Sequence, residues 1–123
     1  MNLLKFCKDL YRIPRSITGE GIVKTLKYIQ NIIPIEIKTV KSGTKVFDWI
    51  IPPEWNINDA YVIELNSGKK VIDFQSHNLH VVGYSIPIDS IFTFEELEKN
   101  LYYLEDQPEA IPYITSYYSK KWG

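Results

Sequence analysis

The spacing of apolar residues predicts that the chain begins with a helix. Leu3, Phe6 and Leu10 recur at intervals of three and four residues, which places them on one face of a helix that ends near Pro14. Cys7 falls on the same apolar stripe. We therefore expect Cys7 to be a buried and unreactive thiol rather than a nucleophile.

A second helix and a strand are predicted next. Ser16 or Thr18 provides a candidate N-cap, and Pro34 ends the helix. Residues 35–39 then alternate between apolar and polar, which is typical of a strand with one face toward a core. The predicted buried face of the second helix consists of Ile22, Leu26, Ile29 and Ile33.

The remainder of the chain has the pattern of a β-rich domain with one helix. The turn residues Ser42 and Gly43 mark the change, so we predict a helical segment over residues 1–45 and a β-rich domain over residues 46–123. Thr93 and Glu96 form a capping-box pattern that begins a helix. The fold class predicted is α+β. The predicted elements after residue 45 are strands over 46–51, 60–65, 70–74 and 79–85, a helix over 94–104, and an extended segment over 111–118.

Composition excludes several classes of function. Lys and Arg number 14 against 15 Asp and Glu, so no overall positive charge attracts nucleic acid. No run of about 20 apolar residues could span a membrane. The start of the chain has no secretory cleavage pattern, and the single cysteine cannot form an internal disulfide. We therefore expect a cytoplasmic protein with neither nucleic acid nor membrane as a partner.

The two histidines are the candidates for a metal site. His77 and His80, with Asp73 and Glu64 nearby in sequence, carry side chains that can bind zinc. On a strand, however, residues three apart point to opposite faces, and no third convergent ligand is visible. Structural histidines are favoured, and we predict neither a catalytic residue nor a metal ligand in this chain.

Two other features suggest binding. Residues 18–21 place two glycines at a helix start, where backbone amides can hold an anion, although the spacing and lysine of a phosphate loop are missing. Aromatic residues make up 14% of the chain and concentrate near prolines. A structural or interface role is favoured over stacking on a saccharide or peptide. The aromatic candidates for a ligand or interface site are Trp49, Trp55, Tyr113, Tyr117 and Trp122.

Several motifs together resemble one known family. This family consists of the aminopeptidase-like proteins encoded in bacterial polysaccharide and capsule biosynthesis clusters. The resemblance spans nearly the whole chain. The motifs are RSITGEG at 15–21, SGTKVFDW at 42–49, PPEWNI at 52–57, NLHVV at 78–82, IPY at 111–113 and TSYY at 115–118.

The resemblance implies a relationship to zinc-dependent aminopeptidases. Residues 1 to about 45 would belong to the N-terminal part of the peptidase fold, and residues 47–118 resemble a β-rich domain of unknown function that is inserted into that fold. The family's metal motifs lie beyond the equivalent of Gly123, so no zinc ligand is carried over and zinc is expected only in the missing catalytic part.

The leading hypothesis is therefore a non-catalytic accessory region of a zinc-aminopeptidase-like protein that serves substrate access or oligomer contact. Its expected partners are the missing catalytic domain or a second copy, with a homodimer forming through the N-terminal helices. One alternative is a module that stacks a saccharide or peptide on Trp49 and Trp55. The other is a metal-dependent peptidase built on His77, His80, Asp73 and Glu64.

Overall fold

A computed structural model describes residues 2–114, 119 and 121–123 of the 123-residue chain. Over these residues the fold is α+β, with three α-helices and two small antiparallel sheets, which confirms the predicted class. The chain divides into two compact units, Met1–Asn58 and Asp59–Gly123. This division falls after Asn58, whereas the sequence analysis placed a domain boundary near residue 45.

Helix α1 (Leu3–Tyr11) begins where predicted, because the side chain of Asn2 accepts a hydrogen bond from the Lys5 amide. The helix packs through only part of its apolar stripe. Leu10 is buried and Phe6 contacts the ring of Tyr28 at 5.8 Å. Cys7 is exposed, so the prediction of a buried thiol is wrong: within the described chain, nothing covers that side of the helix.

Helix α2 (Glu20–Gln30) follows a glycine N-cap at Gly19 rather than the predicted Ser16 or Thr18. Its one buried residue is Thr25, whose hydroxyl donates to the carbonyl of Gly21 at 2.9 Å. Because the helix ends at Gln30, Ile33 lies beyond it and is 51% exposed rather than buried.

A polar cluster joins the two helices. The carboxylate of Asp9 accepts hydrogen bonds from the Lys5 amine at 2.5 Å and from the Tyr28 hydroxyl at 2.6 Å. These bonds lower the pKa of Asp9, with the Lys5 bond as the largest cause and the Tyr28 bond second. The bond to Asp9 raises the pKa of Tyr28. The cluster therefore favours the charged carboxylate and the neutral phenol in the folded chain.

Residues 35–39 do not form the predicted strand. Ile35 and Ile37 are half-buried and their neighbours are exposed, as the alternation indicates. A strand also needs a second backbone, and none of the described residues forms a sheet ladder with this segment. The side chain of Gln30 instead donates to the Ile35 carbonyl at 2.9 Å.

The predicted strand over 46–51 is in fact a short hairpin. Strand β1 (Lys45–Val46) pairs antiparallel with β2 (Trp49–Ile50), and Val46 lies opposite Trp49. The loop therefore consists of Phe47 and Asp48. Two further backbone hydrogen bonds extend the hairpin at its open end. The Gly43 amide donates to the Ile51 carbonyl, and the Ile51 amide donates to the Thr44 carbonyl.

The second unit contains the hairpin that the sequence predicts. Strand β3 (Tyr61–Glu64) pairs antiparallel with β4 (Lys69–Asp73), with a register shift between Val62 and Ile63. Val62 and Ile72 face each other and are both half-buried, so they mark the inner face. On the hairpin, the amine of Lys70 lies 4.2 Å from the ring centroid of Tyr61.

The predicted strand over 79–85 is wrong. Asn78–His80 forms a single turn of 3₁₀-helix, and the chain bends again at Tyr84, whose φ is 67°. The next residues pair with the end of the chain, because the amides of Val82 and Ile86 donate to the carbonyls of Gly123 and Lys121, each at 2.9 Å.

Helix α3 (Phe94–Glu98) has the predicted capping box but not the predicted length. The Glu96 amide donates to the Thr93 hydroxyl at 3.3 Å, and the Glu96 carboxylate accepts from the Thr93 amide at 2.9 Å. After Glu98 the backbone bonds span three residues instead of four, as the Leu101 amide donates to the Glu98 carbonyl. Glu98 also places negative charge at the C-terminal end, where a helix favours cations.

Little apolar surface is buried. Leu10 is the one buried hydrophobic residue of the described chain, and no side chain is completely enclosed. The accessible surface is 10116 Å². A compact protein of 14.4 kDa exposes about 6,800 Å². Even two independent units of half that mass would expose about 8,200 Å² together. Many large apolar side chains are exposed, among them Leu3, Phe47 and Ile91.

We expect the substitution Thr93→Ala to lower the free energy of unfolding by about 1 kcal/mol, because the Glu96 amide loses its acceptor. Urea denaturation followed by circular dichroism measures the change. Thr93→Ser is the matched control, since it keeps the hydroxyl and should retain most of the stability. An unchanged midpoint for Thr93→Ala would show that the capping box does not stabilise α3.

The Asp9 cluster predicts a pH dependence of stability. Because the folded pKa of Asp9 lies below the ordinary 3.8, its contribution is present above about pH 3.8 and is lost as the pH falls through the lowered value. The raised pKa of Tyr28 acts at the other end, where stability is lost above about pH 10.

Thermal unfolding between pH 2 and 6 should therefore show a steeper acid loss in the unaltered chain than in Asp9→Asn. Asp59→Asn is a matched control at an exposed carboxylate of the other unit. Parallel curves for the unaltered chain and Asp9→Asn would contradict the assignment.

Candidate functional site

The glycine-rich turn over residues 15–21 is fastened to residues 53–56, which follow the β1–β2 hairpin. The Thr18 hydroxyl donates to the Pro53 carbonyl at 3.0 Å, and the Trp55 amide donates to the Thr18 carbonyl at 3.5 Å. The Ser16 hydroxyl donates to the Thr18 carbonyl and also lies 3.3 Å from the Trp55 carbonyl. The Glu20 amide donates to the side-chain oxygen of Asn56 at 2.7 Å. Two of the motifs that carry the family resemblance therefore form one hydrogen-bonded junction.

Two glycines make this junction possible. Gly19 has a φ of 128°, which side-chain-bearing residues rarely adopt, and a Cβ there would collide with the backbone of Trp55. A Cβ on Gly21 would collide with the carbonyl of Pro14. Arg15 adds a bond from its guanidinium to the Leu10 carbonyl at 2.7 Å, which ties the turn to the end of α1.

The junction bears on the alternative that residues 18–21 bind an anion. The side chain of Asn56 accepts from the first amide of α2, and this amide would otherwise face an anion. The protein thus supplies its own cap at the helix start. The sequence around Gly19 does not indicate this cap, because the amide that donates and the side chain that accepts lie in different motifs.

His80 ends the 3₁₀ turn, and His77 is its N-cap. Neither histidine lies on a strand, so their side chains are not held on opposite faces of one. Their ring centroids are 5.6 Å apart. The Nδ1 of His77 accepts from the Leu79 amide at 3.1 Å. The Nδ1 of His80 lies 3.0 Å from the Asp73 carbonyl and must donate, because a carbonyl oxygen only accepts.

Both Nδ1 atoms are therefore used within the turn. The carboxylate of Asp73 accepts from the Gln75 amide at 2.9 Å and lies 3.7 Å from the Lys70 amine. Across residues 2–114, 119 and 121–123, no three side chains of the His, Cys, Asp and Glu types are grouped to hold a metal. Glu64, the fourth candidate, accepts a hydrogen bond from the Ser67 hydroxyl in the β3–β4 loop.

The candidate aromatic residues do not share one environment. Trp49 lies on β2 and is 39% exposed, whereas Trp55 is half-buried in the junction. In the second unit, Tyr113 is 87% exposed and Trp122 packs on Phe92 with ring centroids 5.2 Å apart. Tyr117 lies outside the described residues. A ligand platform on Trp49 and Trp55 stays a prediction.

Phe47 has the most exposed aromatic side chain of the described chain and was not among the aromatic candidates predicted from the sequence. It is 93% exposed at the tip of the β1–β2 hairpin. Its φ is 54°, whereas Asp48 has no positive φ. A positive φ at a loop position of a tight hairpin is the conformation that favours glycine. For a bulky side chain the left-handed conformation costs about 1–2 kcal/mol.

Comparison with known proteins identifies relatives of this chain. A family described as a domain of unknown function, DUF2172, matches residues 54–123. A candidate polysaccharide biosynthesis protein with an aminopeptidase-like domain, from Clostridium acetobutylicum, is 52% identical over 116 residues. The match covers 94% of this chain and 26% of that protein.

A solved structure gives the same result. The crystal structure of a candidate peptidase from Clostridium acetobutylicum is 50% identical and superposes with a TM-score of 0.91. The superposition covers 97% of this chain and 28% of that one. The chain thus spans about a quarter of the length of the relatives that it matches.

We expect Asn56→Ala to destabilise the first unit by about 1 kcal/mol, because the first amide of α2 loses its acceptor. Asn56→Asp is the matched control: it keeps the acceptor and adds a negative charge at the helix N-terminus, where anions are favoured. Chemical denaturation compares the three proteins. Equal midpoints for Asn56→Ala and Asn56→Asp would contradict the role of Asn56 as the cap of α2.

Proposed function

The chain belongs to the DUF2172 family, and from this premise we propose that it is a non-catalytic accessory region of an aminopeptidase-like protein. The peptidase chemistry is then carried by a part that this chain does not contain. The relationship to aminopeptidase-like proteins that the sequence motifs imply is confirmed by the matches, but the accessory role is our proposal.

The observation that carries the proposal is the excess of accessible surface, together with the many large apolar side chains that are exposed. The chain exposes about 2,000 Å² more than two independent compact units of its mass. Soluble monomers rarely expose large contiguous apolar patches. A region whose apolar residues pack against a larger body would have this character, and the relatives are roughly four times as long as this chain.

The exposed side of α1 is the contact surface that we propose for this packing. Leu3, Leu4 and Tyr11 are 66%, 63% and 54% exposed, although Leu10 of the same helix is buried. An apolar face of this kind is stabilised by burial at about 25 cal/mol per Å². The proposed occupant is the peptidase-like part. Self-association through the N-terminal helices, which the sequence also predicts, uses the same residues.

Zinc chemistry is assigned to the missing part. The histidine turn supports this, because Nδ1 of His77 accepts a backbone amide, which leaves the proton of the neutral ring on Nε2, and the Asp73 carboxylate bonds to Gln75 and Lys70. A catalytic zinc needs three protein ligands and an open position. The finer predictions of substrate access and of a cytoplasmic location also belong to the proposal. The exposed Cys7 agrees with a reducing compartment.

No helix of the described residues is long and apolar enough to cross a membrane.

The proposal predicts that the purified chain retains no stoichiometric zinc after dialysis and does not hydrolyse aminoacyl p-nitroanilides when zinc is added. Elemental analysis and absorbance assays measure the two quantities. His77→Ala with His80→Ala is the matched control and should behave as the unaltered chain does. One zinc per chain that is lost in this double variant, together with hydrolysis, would overturn the non-catalytic assignment.

A further inference from the structure

We propose that the β1–β2 hairpin tip is a self-complementary contact through which two copies of this chain associate, with Phe47 at the centre of the contact. The proposal concerns a different surface from the side of α1 and does not depend on the peptidase relationship. It is based on two unfavourable features of Phe47, its backbone conformation and its exposure.

The first feature is conformational. Phe47 is the first loop residue of the hairpin and has a φ of 54°, in the left-handed region that favours glycine. Glycine would adopt this conformation without strain. The bulky ring therefore does not serve the turn.

The second feature is exposure. Phe47 is 93% exposed, so within its own chain the ring gains almost nothing from the hydrophobic effect. Backbone strain persists where other interactions compensate for it, and such residues concentrate at binding sites. We place the compensating interaction for Phe47 in another molecule.

The charges beside Phe47 indicate that this molecule is a second copy. Lys45 precedes it and Asp48 follows it, both exposed. Among the described residues neither side chain forms an ion pair. In a two-fold contact, residue i of one copy meets residue j of the other, and the reverse pair forms as well. Lys45 of each copy would then meet Asp48 of the other, with the two Phe47 rings between the pairs.

The contact is small. Two phenylalanine side chains bury about 150–250 Å² each, and the neighbouring Trp49 and Ile50 are 39% and 61% exposed and can add to this. The sum stays below the roughly 1,200 Å² of a stable interface, so a weak, salt-sensitive dimer is expected.

Sedimentation velocity from about 10 µM to about 1 mM at low salt tests the proposal, because weak dimers dissociate in this range. The unaltered chain should show a concentration-dependent dimer. Phe47→Gly should weaken association at least tenfold and yet raise the denaturation midpoint, since it relieves the strain. A purely structural Phe47 would lower the midpoint when removed. A clean monomer of the unaltered chain at about 1 mM would overturn the proposal.

Charge exchange tests the symmetry directly. Lys45→Asp and Asp48→Lys should each associate more weakly than the unaltered chain, because like charges then meet across the two-fold axis. An equimolar mixture of the two variants should recover association, since every pair is again of opposite sign. A mixture that associates no better than its components would contradict the two-fold arrangement.

The control separates this contact from the helix surface. Leu4→Ser removes an exposed apolar side chain of α1 and should leave the hairpin-mediated dimer intact. If Leu4→Ser abolishes association while Phe47→Gly does not, the hairpin proposal is wrong and the helices form the interface. Neither result bears on zinc binding or hydrolysis, so the outcome is independent of the proposed function.

Discussion

The first unit depends on the hydrogen-bonded junction between the glycine-rich turn and the segment after the hairpin. Leu10 alone is a weak core, so burial does not fix where α2 lies relative to the rest of the unit. The bonds from Thr18 and Glu20 to residues 53–56 do so instead, together with the bond from Tyr28 of α2 to Asp9 of α1. Because residues 31–52 connect these two segments, the junction closes a loop that includes the β1–β2 hairpin. The junction therefore holds the base of the hairpin, whereas Phe47 at its tip is almost fully exposed.

What the sequence could predict was set by the distance between interacting residues. The α3 capping box and the β3–β4 hairpin are confirmed because their partners lie within a few residues of each other, so the local pattern contains both sides of each interaction. The cap of α2 was missed because its acceptor, Asn56, lies in another motif. In the strand predicted over 35–39, burial alternates as predicted at Ile35 and Ile37 but not at Thr39, which is exposed, and the described chain offers no second strand. Alternation reports which side chains face a core and says nothing about whether a ladder partner exists.

The candidate site shows the same limit. Composition drew attention to tryptophan and histidine because these residue types most often bind ligands, and the structure places them in separate environments. Phe47 was hidden inside an apparent strand over 46–51, although Asp48 in the middle of that run is a residue that strands disfavour. The turn becomes visible only once Val46 is seen opposite Trp49. Exposure and a positive φ are properties of the folded backbone, and residue identity alone does not reveal them.

Two residues with a side chain, Tyr84 and Phe47, have a positive φ in the described chain. They differ in whether contacts within the chain compensate for the strain. Tyr84 has a φ of 67°, but it is half-buried and precedes Ser85, whose hydroxyl donates to the Val82 carbonyl at 2.6 Å. The same turn allows Val82 and Ile86 to pair with the end of the chain. The conformation of Tyr84 is therefore compensated inside its own unit. The ring of Phe47 is almost fully exposed, so the packing that offsets strain at Tyr84 is missing there. A residue that breaks a local rule without compensation inside the fold is expected at a functional site. Phe47 is such a residue, and the proposed binding at the hairpin tip accounts for it.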